Sequence, residues 1–531
     1  MSSCENPNTD KDVLMTRRQK FDGKTKLCVK CKENTGNIVI RYAVYCKSCF
    51  FPLVQGRFRK SLEPTINAPN GSRRKGLKAS GSLVVGISGG TSSVAMLDLV
   101  AKTYFASLED NKNEANGKLK GGKEHPRLVD KGVWKGKPTV CYVEVCGAFP
   151  GEKDRTEEVR HLVESYSYAN FDFVPLRLED SFDQKWWDTV GGGDLSTAAR
   201  SLGFDMTDEE LRLTTSSSDI SPLTAMQTYL SSLPTPTAFH SAVQIFIRLL
   251  LLHTAASQRA SHLLLGTSLT ALSVNLISGI AQGAGFSVAE EAQEVWHPAS
   301  DDALPIRIVR PMRDIGMKEC AVWDWWCNLR VLAHSRPSQS GGKNAISALT
   351  KDFIFGLESD YPATVSTIAR TCAKLTPKEG SDGICIFCRR PAQSGVQEWK
   401  ARISIRSYQE ASLAVSGNTR PPHLTEEEIT NLTKTSLDSG SGPPVPSLTS
   451  QLCYACHTLL TSRSSRGTAA SLPSGQSLNN VPLPFWIRSS IETRSFHKHA
   501  KHDFDADITH GVKLSRSEMK DQIAEFLLPE E

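Results

Sequence analysis

The chain has 531 residues, with 62 Lys and Arg, 57 Asp and Glu, 14 cysteines and a hydrophobic fraction of 39%. That length allows about three domains of ordinary size, and the composition is that of folded domains joined by polar loops. The polar N-terminus lacks the apolar stretch of a signal peptide, and the most apolar run, 245–256, is too short for a membrane span. We therefore expect a cytoplasmic protein without membrane contact, in which paired cysteines bind metal rather than form disulfides.

The first 78 residues are strongly basic. They hold 17 Lys and Arg against 6 Asp and Glu, a net charge of +11, whereas the other 453 residues carry −6. Such a segment suggests an anionic polymer as partner, and a solvated basic tail is the alternative.

Two CxxC pairs lie in this basic region. Cys28 and Cys31 are separated from Cys46 and Cys49 by 14 residues that include a β-rich run, as in a zinc ribbon. Four thiolates satisfy the tetrahedral preference of Zn²⁺, and free buried thiols or an iron–sulfur centre are the alternatives. We assign residues 1–55 to an N-terminal zinc-ribbon module and 56–80 to a basic linker, in which Pro, Asn and Gly should break any long helix.

Short apolar strands then alternate with amphipathic helices over residues 81–335, a pattern typical of an α/β domain with a parallel sheet and crossover helices. We predict strands at 83–87, 139–145, 171–176, 262–265 and 306–309. We predict helices at 93–104, 155–166, 239–259, 269–284 and 317–333. Two long polar insertions, 109–137 and 180–236, are expected to contribute no core element.

A glycine-rich turn follows the first of these strands. It contains Ser88, Gly89, Gly90, Ser92 and Ser93 and leads directly into an amphipathic helix. Glycines let the backbone approach an oxyanion, hydroxyls donate hydrogen bonds, and a helix N-terminus supplies free amides. The turn is therefore a candidate phosphate-binding loop, and a tight turn with nothing bound is the alternative.

A second set of CxxC pairs lies near the C-terminus. A helical connector is predicted at 336–380, with a helix at 356–375, and a cysteine module at 381–465. Cys385 and Cys388 are separated from Cys453 and Cys456 by 64 residues, of which 411–450 form a Ser/Pro/Gly-rich flexible insertion, and a tail follows at 466–531. Closure of a long loop costs little, so a second zinc site is expected, and two separate redox sites are the alternative.

Other cysteines and tryptophans have less specific patterns. Cys141 and Cys146 are small buried hydrophobes by default, with a sulfur-carrying role as the alternative. Trp323, Trp325 and Trp326 fit a helix packed on the sheet, with base stacking as the alternative.

The strand, turn and helix at Ser88–Ser93 resemble the PP-loop ATP pyrophosphatase family, whose fingerprint is SGGxDS in an adenine nucleotide α-hydrolase-like, Rossmann-like domain. In this chain Ser92 occupies the Asp position. The second family motif, GHNxDD, aligns with residues 266–271, which read GTSLTA and lack both acids and the His. An Arg-Pro dipeptide after the fifth strand is retained as Arg310 and Pro311.

Cysteine ribbons at both ends are typical of one branch of PP-loop proteins, the two-subunit tRNA 2-thiolation group. The chain resembles the second-subunit family of that group over nearly its whole length. Catalytic members carry a further CxxC near the start of the long helix after the third strand, where residues 233–237 here read LPTPT.

The resemblance implies a non-catalytic or accessory subunit, with no catalytic residues of its own, that is required for 2-thiolation of the wobble uridine in tRNA to 5-methoxycarbonylmethyl-2-thiouridine. It implies structural zinc, a heterodimer with the catalytic PP-loop thiolase subunit, tRNA binding, and sulfur delivered as the thiocarboxylate of the ubiquitin-like carrier used in protein urmylation. Whether ATP is still bound is left open. The alternatives are a self-sufficient PP-loop enzyme that adenylates its substrate and a zinc-ribbon nucleic-acid adaptor.

Overall fold

The computed structural model describes most of the folded part of the chain. The described residues are 27–67, 77–105, 133–149, 151–190, 220–233, 235–298, 304–332, 345–375, 383–393, 396, 452–461 and 484–487. The predicted flexible insertion at 411–450 and the first 26 residues of the basic segment lie outside them.

Strands and helices alternate along the described chain. The strands, β1 to β10 in chain order, are Ile38–Ile40, Ala43–Tyr45, Ser82–Ile87, Thr139–Glu144, Asp172–Arg177, Ala260–Leu265, Glu294–Trp296, Ile306–Val309, Gly383–Ile384 and Pro391–Ala392. The α-helices, α1 to α11, are Lys47–Ile66, Thr91–Val100, Thr156–Glu164, Gln184–Val190, Pro222–Ser232, Pro236–Ser257, Leu269–Ala281, Met317–Trp326, Ile346–Asp360, Pro362–Cys372 and Tyr454–Thr461.

A six-stranded sheet forms the centre of the described α/β domain, in the order β5-β4-β3-β6-β8-β7. Five of these strands are parallel, and β7 pairs with β8 in the antiparallel direction. All five predicted strands are therefore present, and the predicted fold class is confirmed. The short edge strand β7 was missed, because three residues are too few for a periodic signal.

Helices cover both faces of the sheet, because successive strand side chains alternate between two cores. Val84 belongs to a core with the long helix α6, whereas Leu83 and Val85 belong to a core with α1, α2 and α8. Among the described residues, α6 is the one helix whose length and apolar composition would allow it to cross a membrane. Phe246, Leu250 and most of its apolar side chains are buried, as predicted for a core helix.

The N-terminal cysteine module continues directly into α1, which packs against the sheet. The prediction that residues 56–80 contain no long helix was wrong up to Ile66, because tertiary packing outweighs the helix-breaking tendency of Pro52 and Pro64. A stripe with four-residue spacing is fully or almost fully buried: Phe50, Val54, Phe58, Leu62 and Ile66.

Parts of both polar insertions pack in the cores, contrary to prediction. Trp134 is buried on the α1 side of the sheet, and Trp187 and Tyr229 are buried on the α6 side. In each case an aromatic side chain within a polar stretch is buried. The average polarity of the whole insertion does not reveal such single aromatic residues.

Two helix boundaries also differ from prediction. Helix α8 ends at Trp326 rather than at residue 333, because Asn328 adopts the left-handed conformation with φ of 53° and turns the chain back. The helix predicted at 356–375 is a pair, α9 and α10, that meets at Tyr361 and Pro362.

The C-terminal cysteine module lies on the α6 side of the sheet, opposite the N-terminal module. Phe387 and Cys388 belong to the same core as Phe246 of α6. A short segment from the predicted tail, Phe485 to Ile487, is buried there as well. The tail therefore contributes to the core at this one described segment.

Candidate functional site

The glycine-rich turn lies at the carboxyl end of β3, where α/β proteins bind ligands. The Ser93 hydroxyl donates to the Gly90 carbonyl at 2.8 Å and lies 3.2 Å from the Ser88 hydroxyl. The Ser93 oxygen also accepts from the Ser88 backbone N–H at 3.3 Å. The hydroxyl of Ser93 is therefore used to hold the turn closed.

Two apolar side chains, those of Leu332 and Met317, pack against parts of the turn. The Leu332 backbone N–H donates to the Gly89 carbonyl at 2.9 Å, and a Cβ on Gly89 would lie 3.2 Å from the Leu332 side chain. Ser92 is buried, and its hydroxyl donates to the Met317 sulfur at 3.4 Å. The position that holds a carboxylate in the PP-loop fingerprint thus carries a hydroxyl that faces a thioether.

The second motif position, residues 266–271, forms the start of α7 at the end of β6. Ser268 caps the helix by accepting from the Ala271 N–H at 3.3 Å. The Thr270 hydroxyl donates to Glu358 of α9 at 2.9 Å and accepts from the Met317 N–H at 3.0 Å. One carboxylate, that of Glu358, therefore reaches this region, and it does so from the helical connector.

Close packing between the two motifs requires a glycine at position 266. A Cβ at this position would lie 2.5 Å from the Cα of Ser93, which is closer than any real contact. The glycine lets β6 and the phosphate-loop helix α2 approach each other.

Arg310, retained from the Arg-Pro dipeptide, lies in a buried charge network. Its Nη2 contacts Glu291 at 3.1 Å, and Arg390 of the C-terminal module contacts the same carboxylate at 2.7 Å. Burial alone would raise the pKa of Glu291, but Arg390 and Arg310 lower it to about 2. Arg310 therefore helps to fix the C-terminal module to the sheet.

Helix α6 extends this network. Arg248 forms a close bidentate pair with Glu294 and donates to the Cys388 carbonyl at 2.8 Å. Arg390 approaches Glu294 at 3.6 Å. The charged groups thus connect the second cysteine cluster with α6 and the edge strand β7.

The sulfurs of Cys28, Cys31, Cys46 and Cys49 all lie within 4.8 Å of one another. The Cys31 and Cys46 sulfurs are 3.8 Å apart. A tetrahedral Zn²⁺ site with Zn–S bonds of about 2.3 Å requires sulfur pairs about 3.8 Å apart. The geometry therefore fits one tetrahedral ion, whereas an iron–sulfur cluster binds its thiolates to several irons and needs them farther apart.

The second cluster has the same geometry. The sulfurs of Cys385, Cys388, Cys453 and Cys456 lie within 4.8 Å of one another, and all four residues are buried. The Cys388 and Cys453 sulfurs are 3.8 Å apart. The structure thus brings together two pairs that 64 residues separate in sequence, as one shared site requires.

The other candidate thiols lack such partners among the described residues. Burial raises the pKa of Cys141 to about 12, and burial together with Glu144 raises the pKa of Cys146 to about 11. Both thiols are therefore protonated at neutral pH, which disfavours a role in carrying sulfur. At the position of the catalytic CxxC, Thr235 caps α6 by accepting from the Ala238 N–H at 3.1 Å.

The fold and these sites define a class: a PP-loop α/β protein with altered acidic motifs and a four-cysteine cluster on each side. Residues 345–458 match the family model described as cytoplasmic tRNA 2-thiolation protein 2. The cytoplasmic tRNA 2-thiolation protein 2 of Danio rerio is 25% identical over 96% of this chain and 95% of its own length. That of Yarrowia lipolytica is 23% identical over 81% of this chain and 92% of its own length.

The chain is thus similar over most of its length to proteins of the cytoplasmic tRNA 2-thiolation protein 2 family. The names of these relatives describe cytoplasmic proteins, in agreement with the predicted location. A solved structure, the U34-tRNA thiolase of Methanococcus maripaludis with its [4Fe-4S] cluster, is similar with a TM-score of 0.41 and 16% identity. That similarity covers 72% of this chain and 98% of the thiolase.

Proposed function

We propose that this chain is the non-catalytic subunit of a two-subunit complex that 2-thiolates the wobble uridine of tRNA. Its partner in the heterodimer is a catalytic PP-loop thiolase subunit, and sulfur comes from a thiocarboxylated ubiquitin-like carrier. The chain supplies tRNA binding and a rigid scaffold for the partner. The similarity to tRNA 2-thiolation proteins supports the reaction, and the altered loop supports the accessory role.

The single observation that carries the accessory role is the hydroxyl of Ser92 at the position where the PP-loop fingerprint has a carboxylate. Mg²⁺ prefers hard oxygen ligands, above all carboxylates and phosphates. Here Ser92 faces the Met317 sulfur, and the Leu332 side chain lies against Gly89. A magnesium triphosphate would therefore find no carboxylate at the position of Ser92.

We assign the metal of both clusters as zinc with a structural role. The sulfur separations of 3.8 Å fit a single tetrahedral ion at each cluster. Four protein ligands leave no open coordination position for substrate, which distinguishes a structural from a catalytic zinc site. The N-terminal site then fixes the start of α1, and the C-terminal site fixes the module that Arg390 attaches to the sheet.

The basic N-terminal segment is our candidate for phosphate contacts. Within the described part, residues 27–67 hold seven Lys and Arg against Glu33 and Glu63. Lys30, Lys32 and Lys47 are exposed. Lysines in such positions neutralise RNA phosphates and release counterions, so binding should weaken steeply as salt rises.

The test combines cells and purified protein. Cells depleted of this chain should lose 2-thiouridine derivatives in nucleoside mass spectrometry of their tRNA, and the intact chain should restore them. The Ser92→Ala variant should restore them equally well, because the hydroxyl contacts the sulfur atoms of Met317 and Cys320 rather than a metal-binding group. The purified chain without its partner should release no pyrophosphate from ATP.

Each alternative has its own result. Robust conversion of ATP to AMP by the purified chain, abolished by Ser92→Ala, would establish a self-sufficient PP-loop enzyme. Unchanged thiolation after depletion would establish a nucleic-acid adaptor unrelated to this reaction.

A further inference from the structure

Helix α8 has an unusual distribution of polar and apolar side chains. Its two acids, Glu319 and Asp324, are buried with 8% and 3% exposure. Trp325 lies on its outer side with 75% exposure, the largest value among the exposed large hydrophobic residues of the described chain. A tryptophan side chain usually buries most of its area, so an exposed one marks a candidate contact site.

Trp323 is buried in the core and Trp326 packs against it, whereas Trp325 is exposed. Trp323 is buried and donates its indole N–H to Asp98 at 2.9 Å. Trp326 packs edge-on against Phe50 of α1 with 5.0 Å between ring centroids. The Trp325 ring lies 6.3 Å from that of Trp326, so it projects from a rigid aromatic base.

Lysines flank this aromatic base. The Lys47 ammonium lies 5.9 Å from the centroid of the Trp326 ring. The Lys102 ammonium lies 5.8 Å from the centroid of the Trp323 ring, and the Lys102 side chain is 43% exposed. Lys47 is the first residue of α1 and directly follows Cys46. The N-terminal cysteine cluster therefore lies near Trp326, at the C-terminal end of α8.

The nearby acids are buried or paired. Glu319 binds Arg57 at 2.9 Å, and Asp98 binds both Trp323 and Lys102. Asp324 is buried as well. The end of α8 therefore combines an exposed aromatic ring with two lysines that lie over the neighbouring tryptophans, of which Lys47 is exposed and Lys102 also pairs with Asp98.

We propose that Trp325 is a stacking platform for an unpaired base of RNA, with Lys47 and Lys102 contacting phosphates on either side. This inference rests on the proposed function, because it names where the bound tRNA presents an unpaired base. Every base has a face that stacks on an aromatic ring, and a wobble uridine lies in a single-stranded loop that can open its bases to such a ring.

An RNA occupant fits this surface better than a protein occupant. A tryptophan at the centre of a protein interface is normally surrounded by other apolar residues that exclude water. Here Ala321, four residues before Trp325, and Asn328, three residues after it, are exposed, and lysines lie over the neighbouring rings of Trp326 and Trp323. A single ring among cations is typical of nucleic-acid binding.

The experiment measures binding of the full chain to two RNA probes: an anticodon stem-loop and a blunt duplex of the same length. Trp325→Ala should weaken stem-loop binding roughly 5- to 100-fold, the effect of one lost base stack, and should leave duplex binding unchanged. Trp325→Phe should retain most of the affinity. Lys47→Ala should weaken both probes to a similar extent and lower the salt dependence. The matched control is Phe353→Ala on α9, which removes another exposed aromatic ring (58%) and should change neither probe.

Four results would overturn the inference. Stem-loop binding that survives Trp325→Ala would show that the ring does not stack. An equal loss of binding for both probes would show that Trp325 only positions the charged groups. A marked fall in unfolding temperature would show that Trp325 contributes to packing within this chain. If the Trp325→Ala variant bound RNA normally but no longer bound the catalytic subunit, Trp325 would belong to a protein interface. If the unmodified chain bound neither probe, the proposed tRNA-binding function itself would fail.

Discussion

The buried Trp486 should hold the C-terminal module to the sheet, although it lies in the predicted tail. Its side chain is 1% exposed and packs against Phe246 with ring centroids 5.3 Å apart. Its indole N–H donates to the carbonyl of Phe387, which lies between Cys385 and Cys388, at 3.0 Å. Substitution of Trp486 should therefore weaken both the core and the metal site.

The magnitude follows from burial and from the hydrogen bond. Truncation of a buried Trp to Ala costs about 3–5 kcal/mol of unfolding free energy. For a cooperative unit of 150–250 residues, that corresponds to a fall in unfolding temperature of roughly 6–20 °C. Trp486→Phe keeps a ring in the core but leaves the Phe387 carbonyl without its donor, which costs about 1–3 kcal/mol.

The assay is thermal unfolding of the full chain, combined with the rate of zinc release to a chelator. Trp486→Ala should lower the unfolding temperature and accelerate release of one of two zinc ions. Trp325→Ala is the matched control, because an exposed tryptophan should shift stability by only about 0.5 kcal/mol. Equal, small shifts for the two variants would refute the placement of the tail segment in the core.

Three further predictions concern the interior. Arg248→Met removes the donor that Arg248 provides to Glu294 and to the Cys388 carbonyl. The free energy of unfolding in denaturant titrations should therefore fall by about 3 kcal/mol, and an unchanged value would contradict the charge network. Burial, followed by the charge of Asp98, raises the pKa of Asp324 from 3.8 to about 8, so the folded state favours the protonated acid and its stability declines as pH rises between these values. Asp324→Asn should therefore raise the unfolding temperature more at pH 8 than at pH 5, and an equal rise at both would refute the shift. Cys385→Ser should lose one zinc equivalent by elemental analysis, whereas Cys372→Ser, outside both clusters, should lose none.

Regular elements were predictable because their signals are local. The five predicted strands were found, since each is an apolar run at a clear boundary. The cysteine pairs were also apparent from spacing alone, and the structure brings all eight sulfurs into two groups. The domain boundaries at 81–335 and 381–465 stay predictions.

Features that depend on distant contacts could not be predicted. The buried stripe of α1 outweighs two prolines only because another part of the chain covers it. Glu358 reaches Thr270 from a helix that lies 88 residues away in sequence. The exposure of Trp325 likewise depends on how α8 rotates against α1, and the three tryptophans look alike in sequence.

The presence of the motif glycines and the absence of the motif acids have different physical explanations. Gly89 adopts φ of +74°, and a side chain at Gly266 would collide with Ser93, so both positions are fixed by the fold itself. The acids of the PP-loop fingerprint serve metal and triphosphate, and the fold does not need them, as Ser92 shows by packing on Met317. A chain that scaffolds a catalytic partner is therefore free to lose its carboxylates but not its glycines. A glycine-rich turn of this kind identifies the fold, whereas the side chain at position 92 carries the information about catalysis.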